Sequence, residues 1–345
     1  MDTKHKVHAP ETVLPAGFTS RHASLDDVEQ AAEMGRQYSI ATTGFSDVDA
    51  GTLRNQWQSP GFDPAQDVCF VFSPGKQLVG YCEVWANGNP PAHPFIWGAV
   101  AVEYQNLGIG THMLTWAEDH VRQLLDRVPA GIRVAPIAGF PSVITSSKAL
   151  FENNGWIYLR SSYIMRIDLD SAPPVPGFPA NITLRTYQPE LAEAIYRAFD
   201  EAFRDHFGHI DQPFEPAFAR FQRTLIGDPL FDAGLWFLAM DGDEIAGVCL
   251  CRKEAWDDAE CGYVNILGVR RPWRKNGLGL ALLRQAFNEF HRRGCRKVSL
   301  GVDAFNITGA LRLYEKAGMR VARQFDQYEK EIRPGRELRV QEAEK

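Results

Sequence analysis

The sequence predicts a mixed α/β fold that occurs twice in one chain, each copy with a central, mostly antiparallel sheet flanked by helices. Three observations support this prediction. Segments of the first half recur in the second half, a proline-rich stretch separates the halves, and each half alternates strand-length apolar runs with amphipathic helical segments. The 345 residues suffice for about two domains of ordinary size.

The repeat is visible in three collinear pairs of matching segments. Residues 15–21 match 179–185, residues 105–110 match 274–279, and residues 151–156 match 314–319. Collinear matches at nearly constant separation indicate a duplicated domain with small loop insertions.

A proline-rich segment lies between the copies, with four prolines in residues 171–179. Proline cannot continue a helix or a central strand, so this segment is expected to be an extended, semi-rigid linker. We therefore expect an N-terminal domain over 15–170, a linker over 171–180 and a C-terminal domain over 181–333.

The elements of the two copies follow in the same order. A short strand around Arg21 or Arg185 leads into a helix, predicted over 26–36 or 189–203. A hairpin follows, because two strand-like runs flank a short Gly-containing turn. Its strands are predicted over 68–72 and 78–85 in the first copy, and over 235–240 and 245–251 in the second.

Another strand then ends at a Gly-x-Gly element, where a helix begins. Apolar residues recur there at helical spacing: Leu280, Leu283, Phe287 and Phe290 in the second copy, and Met113, Leu114, Ala117, Val121 and Leu124 in the first. Further strands are predicted over 133–137 and 297–302, each followed by one more helix and a final strand.

Composition and charge exclude several classes of protein. Lys plus Arg number 37 against 43 for Asp plus Glu, and a net charge of -6 argues against a nucleic-acid partner. The longest apolar runs are strand-sized and the polar N-terminus has no signal or anchor, so we expect a soluble, cytoplasmic protein with no membrane partner. The six cysteines are too sparse for a disulfide scaffold, and Cys249-x-Cys251 has no further ligands nearby, so we expect buried thiols and no metal.

The Gly-x-Gly turn over 274–279 is the first candidate for chemistry. First-turn amides of a helix have no internal partners, so this turn can bind an anionic phosphate, and Arg274 and Lys275 add positive charge. A tight connection that holds nothing is the structural alternative. A dinucleotide-binding fingerprint is disfavoured because Leu282 stands where its third glycine would be.

Three motifs follow one another in the second copy. They are Val269 followed by Arg-x-x-Gly-x-Gly, the segment 303–306 after a strand, and the segment 313–319 in the next helical region. Together they resemble the GNAT superfamily of acyl-CoA-dependent N-acyltransferases. The resemblance covers about residues 182–332 and, more weakly, about 19–169. Two such domains in tandem are similar in layout to the mycothiol synthase family.

The resemblance implies a site for acetyl-CoA as co-substrate. It implies that the strand before the turn bulges and separates from its neighbour, and that the backbone amide of Leu267 stabilises the thioester oxyanion. The residues implied to bind the co-substrate are Leu267, Gly268, Val269, Arg274, Lys275, Asn276, Gly277, Leu278, Gly279, Leu280 and Asn306.

Tyr314 corresponds to the tyrosine that protonates the departing CoA thiolate in the family. A phenol holds its proton at neutral pH and can deliver it across one hydrogen bond. Without the motif, a tyrosine that only packs is the simpler interpretation.

The first copy departs from this pattern, because Phe151 stands where Tyr314 stands and Val143 replaces the asparagine. A phenyl ring cannot donate a proton, so we expect a CoA-binding or structural partner and not a second catalyst. Its candidate CoA contacts are Gly98, Ala99, Val100, Gln105, Asn106, Leu107, Gly108, Ile109, Gly110 and Thr111.

The sequence leaves more than one candidate for the general base. Several GNAT families place a glutamate four residues before the oxyanion amide, where this chain has Tyr263. Glu260 at the strand entrance and deprotonation through water ordered by Tyr263 and Asn265 remain alternatives. Segments 203–211 and 256–258 are candidate acceptor contacts, although both could be solvated loops.

The sequence thus predicts an N-acetyltransferase that acts on a primary amine of a small molecule, without a metal or redox cofactor. A non-catalytic acyl-CoA-responsive module and a protein N-acetyltransferase are the alternatives. The sequence does not set the oligomeric state.

Overall fold

The computed structural model describes residues 13–46, 48–306 and 309–340. They form two compact units. The first comprises residues up to Leu159 together with Asp326–Glu337, and the second comprises Arg160–Phe325 together with the chain from Leu338. Each unit therefore includes residues from the last strand of the other sequence repeat. The predicted boundaries describe the repeat and do not capture this exchange.

The first unit is a sheet with helices on both faces. Its strands are β1 (Thr19–His22), β2 (Val68–Phe72), β3 (Leu78–Trp85), β4 (Phe95–Val100) and β5 (Ile137–Pro141), in this spatial order. Its helices are α1 (Val28–Thr43), α2 (Ala50–Trp57), α3 (Pro64–Asp67), α4 (Ile109–Gln123) and α5 (Thr145–Asn153). The neighbours are antiparallel except for the parallel pair β4 and β5.

The strand predicted over 133–137 is wrong in position, because β5 begins only at Ile137. Residues before it form isolated bridges, Ile132 with Arg336 and Val134 with Arg333. The apolar run before β5 is thus paired with the chain after the last strand. Sequence periodicity could not show this, since the partner is far away in sequence.

Two apolar layers enclose the first sheet. On one face, α1 and α2 pack with Trp57, Phe70 and Tyr81 in a buried cluster. On the other face, a Cβ on Gly80 would lie 3.1 Å from the sulfur of Met113, so α4 packs close to β3. The sheet is therefore buried on both faces, as the near-continuous burial of β2 and β3 indicates.

The second unit repeats this design. Its strands are β6 (Ile157–Asp168), β7 (Ile182–Thr186), β8 (Trp236–Asp241), β9 (Glu244–Arg252), β10 (Cys261–Val269) and β11 (Lys297–Asp303), in the spatial order β6-β11-β10-β9-β8-β7. Of β6, the residues from Arg160 onward belong to this unit. Its helices are α6 (Ala192–Phe203), α7 (Phe214–Phe221), α8 (Leu278–Arg292) and α9 (Ala310–Lys316), and the last strand of the chain is β12 (Arg320–Glu329). From β6 to β7 across this order, neighbouring strands are antiparallel except for the parallel pair β10 and β11.

Helices α6 and α7 cover one face of this sheet and α8 and α9 the other. The linker lies against α8, because Asn288 Nδ2 donates to the Pro174 carbonyl at 3.0 Å and Phe178 packs against the α8 core. Cys249 and Cys251 are buried thiols on β9 whose sulfur atoms lie 3.7 Å apart. All six cysteines are free, and Cys295 alone among them is half-buried.

None of the helices in the described part of the chain is long and apolar enough to cross a membrane. Within the same residues, no group of three or more His, Cys, Asp or Glu side chains is placed to hold a metal ion.

Gly262 on β10 offers a test of the packing under α8. A Cβ at this position would overlap the ring of Phe290, which is buried in the core under α8. We expect Gly262→Ala to lower the free energy of unfolding by about 1–3 kcal/mol in urea denaturation, since overpacking a filled core forces side chains out of their rotamers. Gly177→Ala is the control, because its Cβ would meet open space. Equal stability of the two variants would contradict this packing.

Candidate active site

Strand β10 separates from β11 halfway along its length. The two strands pair from Cys261 to Val264 only, although β10 continues to Val269. The pairing with β9 shifts register between Val264 and Ile266, which places a β-bulge at Asn265. A bulge bends its strand and increases the local twist, so an opening forms beyond Asn265 between β10 and β11.

The backbone of β10 presents two residues to this opening. Arg270 donates its N–H to the Ala246 carbonyl at 3.0 Å, which directs the Arg270 amide towards the β9 side. Backbone groups of successive residues on a strand point to opposite sides. Leu267 and Val269 therefore direct their amide and carbonyl groups towards the opening, where the Val269 carbonyl accepts from Arg274 Nε.

The Gly-rich turn that follows β10 has two residues in the left-handed region. Lys275 has φ +67° and Gly277 has φ +79°. The equivalent turn before α4 has the same geometry, with φ +61° at Asn106 and φ +82° at Gly108. Within the described residues, no side chain caps the first turn of α4 or α8 and no acidic residue lies there. Both helix N-termini are thus free to bind an anion.

The second glycine of each turn serves packing. A Cβ on Gly279 would lie 3.0 Å from Leu313 of α9, and a Cβ on Gly110 would lie 3.1 Å from Leu150 of α5. A side chain at either position would push the two helices apart. The spacing of the glycines therefore reflects a left-handed turn and a close helix contact together.

Arg274 does not extend its side chain freely towards the turn. Its Nε donates to the Val269 carbonyl at 3.0 Å, its Nη2 to the Ala202 carbonyl at 3.0 Å, and its Nη1 to Asp205 at 2.9 Å. The guanidinium group ties the end of α6 to the end of β10. Sequence reasoning suggested a phosphate contact for this side chain and missed its role as a tie.

Tyr314 lies on α9 and is buried in the core of the second unit. It belongs to the same apolar cluster as Cys249, which pairs directly with Leu267 across β9 and β10. Burial raises the pKa of Tyr314, and the nearby Cys249 and Tyr263 raise it further. The phenol therefore keeps its proton at neutral pH beside the strand that carries the Leu267 amide.

The other predicted residues are more widely placed. Tyr263 is on β10 before the bulge, and burial raises its pKa. Its hydroxyl packs over Gly301 of β11, 3.2 Å from where a Cβ would be. Asn306 Oδ1 accepts from the Ala310 amide at 3.4 Å at the start of α9. Glu260 is exposed at the start of β10. At about 3.3 Å per residue, the chain from Glu260 to Leu267 spans on the order of 20 Å.

The first unit has the turn but not the bulge. Strands β3 and β4 keep one register from Gly80 with Val100 to Trp85 with Phe95, whereas β4 pairs with β5 only at Phe95 and Ile96. A cavity of about 350 Å³ lies beside the turn. Its lining includes Tyr38, Cys82, Gly98, Val100, Gln105, Asn106, Gly108, Gly110, Thr111, Ser147, Leu150 and Phe151.

Phe151 faces that cavity from α5. Its ring stacks on Phe140 with centroids 5.4 Å apart and lies edge-on to Trp156 at 5.0 Å. In this position the first unit has an apolar ring where the second has the Tyr314 phenol. Tyr38 of α1 also lines the cavity and contacts Ser147, and burial raises its pKa.

Comparison with known sequences decides the family. The pattern of the Acetyltransferase (GNAT) family matches residues 34–133 and again residues 192–319. The chain belongs to the acetyltransferase (GNAT) family. It is an acyltransferase with two GNAT domains in tandem, and each match includes one of the two Gly-rich turns.

Relatives of this GNAT protein include enzymes named mycothiol acetyltransferase. The one from Streptomyces scabiei is 32% identical over 304 residues, covering 86% of this chain and 87% of the relative. The one from Catenulispora acidiphila is 27% identical over 317 residues, covering 90% of this chain and 94% of the relative.

A solved structure of a GCN5-related N-acetyltransferase from Sphaerobacter thermophilus is similar over nearly the whole chain. The TM-score is 0.78 at 33% identity, covering 94% of this chain and 99% of that one. A tandem GNAT protein from the clavulanic acid biosynthesis pathway has the same fold, with a TM-score of 0.65 at 18% identity, covering 92% of this chain and all of that one.

Two aspartates in the loop before β10 of this GNAT protein are ion-paired. Asp257 pairs with Arg323 and lies 3.6 Å from Arg166, and Asp258 lies 3.3 Å from Lys297. Sequence analysis singled out the loop 256–258 but not these partners, which lie on β6, β11 and β12. The ion pairs show that both carboxylates are held by cations of the unit.

Proposed function

We propose that the second unit transfers an acetyl group from acetyl-CoA to a primary amine of a small molecule. The observation that carries this proposal is the opening between β10 and β11. There the Leu267 amide, the uncapped N-terminus of α8 and the buried Tyr314 phenol belong to adjoining elements. The GNAT family supplies the chemistry of acetyl transfer, and this arrangement supplies its three requirements in one unit.

The amides from Lys275 to Leu280 would bind the pyrophosphate of the co-substrate. The Leu267 N–H would donate to the thioester oxygen, which becomes negatively charged as the amine nitrogen attacks the carbonyl carbon. As the carbon–sulfur bond breaks, its electron pair goes to sulfur. Tyr314 Oη would then transfer its proton to that sulfur, so that CoA leaves as a thiol. The nitrogen that attacked would lose its extra proton as the amide forms, and the Tyr314 phenolate would regain one, so that the enzyme returns to its starting state.

The first unit has a different role in this proposal. Its turn and its cavity of about 350 Å³ fit a pantetheine arm and pyrophosphate, whereas Phe151 has no proton to give. We propose that this unit binds CoA without turnover. The bulge that opens β10 has no counterpart in β4, which bears on the expected lack of turnover, whereas room for the arm comes from the short pairing of β4 with β5.

The acceptor belongs to the proposal as a class only. Relatives over most of the chain are named mycothiol acetyltransferase, which favours a small molecule over a protein acceptor. Asp257 is already ion-paired with Arg323, so it offers no free carboxylate to the acceptor on this side. The cytoplasmic location expected from the sequence stays a prediction.

A panel of small amines and an amine-bearing peptide tests this function. We expect thiol release from acetyl-CoA that depends on one class of small amine, with a product heavier than that amine by one acetyl group in mass spectrometry. Acetylation of the peptide alone would favour a protein acceptor. Binding of acetyl-CoA without transfer to any amine would support the non-catalytic alternative.

A further inference from the structure

A loop after α6 crosses the opening between β10 and β11. On the β10 side, Phe203 packs against Gly268, with a ring carbon 3.1 Å from where a Cβ would be. Asp205 accepts from Arg274 Nη1 at 2.9 Å, and Arg274 is itself bonded to the Val269 carbonyl. This end of the loop is therefore fixed to the last residues of β10.

The other end of the loop is held on the β11 side. The Arg160 guanidinium lies over the ring of Phe207, with its central carbon 3.4 Å from the ring centroid. Arg160 Nη2 forms an ion pair with Asp303 Oδ2 at 2.7 Å, and Asp303 is the last residue of β11. The end of α6 and the loop that follows it are thus anchored at Phe203 and Asp205 on the β10 side and, through Arg160, at Phe207 on the β11 side.

His206 lies between these anchors. Its ring centroid is 4.4 Å from that of Phe203, and its amide donates to the Phe203 carbonyl at 2.9 Å. The imidazole interacts electrostatically with Arg274 on the β10 side and Asp303 on the β11 side. Among the residues that the structure describes, neither ring nitrogen has a hydrogen-bond partner.

We propose that His206 is the general base that removes a proton from the ammonium group of the acceptor. This inference rests on the proposed function of the second unit. The ammonium N–H bond breaks, its electron pair stays on nitrogen for attack on the thioester, and one imidazole nitrogen gains the proton. Solvent takes that proton after product release. The chain needs a base from another position, because Tyr263 stands where the resemblance implies a glutamate.

Electrostatics agree with this role. Burial lowers the pKa of His206, Arg274 and His209 lower it further, and Asp303 and Asp205 act in the opposite direction. The pKa of His206 therefore lies below its ordinary value of 6.5, so most of the imidazole is neutral at pH 7 and can accept a proton.

The pH dependence of kcat in the full chain tests the proposal, with the acceptor held at saturation. Wild-type kcat should rise through a pKa below 6.5 and level off near pH 7. For His206→Asn we expect a loss of about 100-fold at pH 7 that shrinks as the pH rises towards 9, where hydroxide and the free amine replace the base. The Kd for CoA should stay unchanged, and added imidazole should restore part of the rate to His206→Ala.

His291→Asn is the control, because His291 lies near the end of α8, away from the opening. If His206→Asn fails to bind CoA, His206→Gln repeats the test with a longer amide. A variant that binds CoA and shows the wild-type pH profile with less than about threefold loss would overturn the proposal. Failure of wild type to acetylate any amine would instead defeat the proposed function itself.

Discussion

Tyr314→Phe lowers kcat by about 100-fold or more while the Kd for CoA stays within a few-fold of wild type. The substitution removes one hydroxyl from a buried ring, so the apolar contacts of α9 with the core are kept. The loss falls on proton delivery to the CoA sulfur, a step worth roughly 10²–10⁴ in rate when a positioned acid performs it. Steady-state thiol release and calorimetry with CoA measure the two quantities.

Tyr187→Phe is the matched control for this substitution. Tyr187 lies in the same unit, and its ring packs edge-on to Phe231 at 5.2 Å and to Trp236 at 5.3 Å, away from the opening. This variant should keep wild-type turnover. If Tyr314→Phe also turns over normally at saturating substrate, Tyr314 only packs, which is the simpler interpretation that the sequence left open.

Asn276→Asp weakens CoA binding to the second unit by about tenfold or more. Asn276 is exposed in the turn before α8, and the aspartate is nearly isosteric, so the fold should tolerate it. A carboxylate there would face the pyrophosphate, and two unit charges about 4 Å apart repel by roughly 1–4 kcal/mol near a protein surface. The effect should diminish at high salt.

Leu107→Asp places the same charge in the first unit. Leu107 is the sequence equivalent of Asn276 and is 46% exposed, so its substitution also spares the core. In calorimetry, wild type should bind at most two CoA molecules per chain, with the tighter site in the second unit. Asn276→Asp should weaken binding at the tighter site and Leu107→Asp binding at the weaker one. The reverse assignment would contradict the proposed division between the units.

Local patterns in the sequence predict much of this fold. The hairpins, the helix after each Gly-rich turn and the duplication all depend on residues close together in the chain, and the structure confirms these elements. The exchange of last strands was not predictable in this way. It depends on β6 pairing with β11, whose partners such as Arg166 and Ser299 are far apart in sequence.

The candidate site shows the same limit. The turn and the contrast between Tyr314 and Phe151 are visible in the sequence, because they are motif positions. The family resemblance implied a bulge in the strand before the turn, but only the structure places it at Asn265 and shows that β4 has no counterpart. The anchors of the loop around His206 join three elements, so only the folded chain shows that the loop crosses the opening.

Acetyl transfer by the two charge variants tests most directly whether the second unit does the chemistry. The acetyl-CoA concentration is set so that it barely saturates the wild-type enzyme. Under this condition Asn276→Asp should lose most of its transfer to the amine acceptor, and Leu107→Asp should retain nearly all of it. Loss of transfer in Leu107→Asp with full activity in Asn276→Asp would contradict the account, because catalysis would then reside in the unit that lacks the tyrosine.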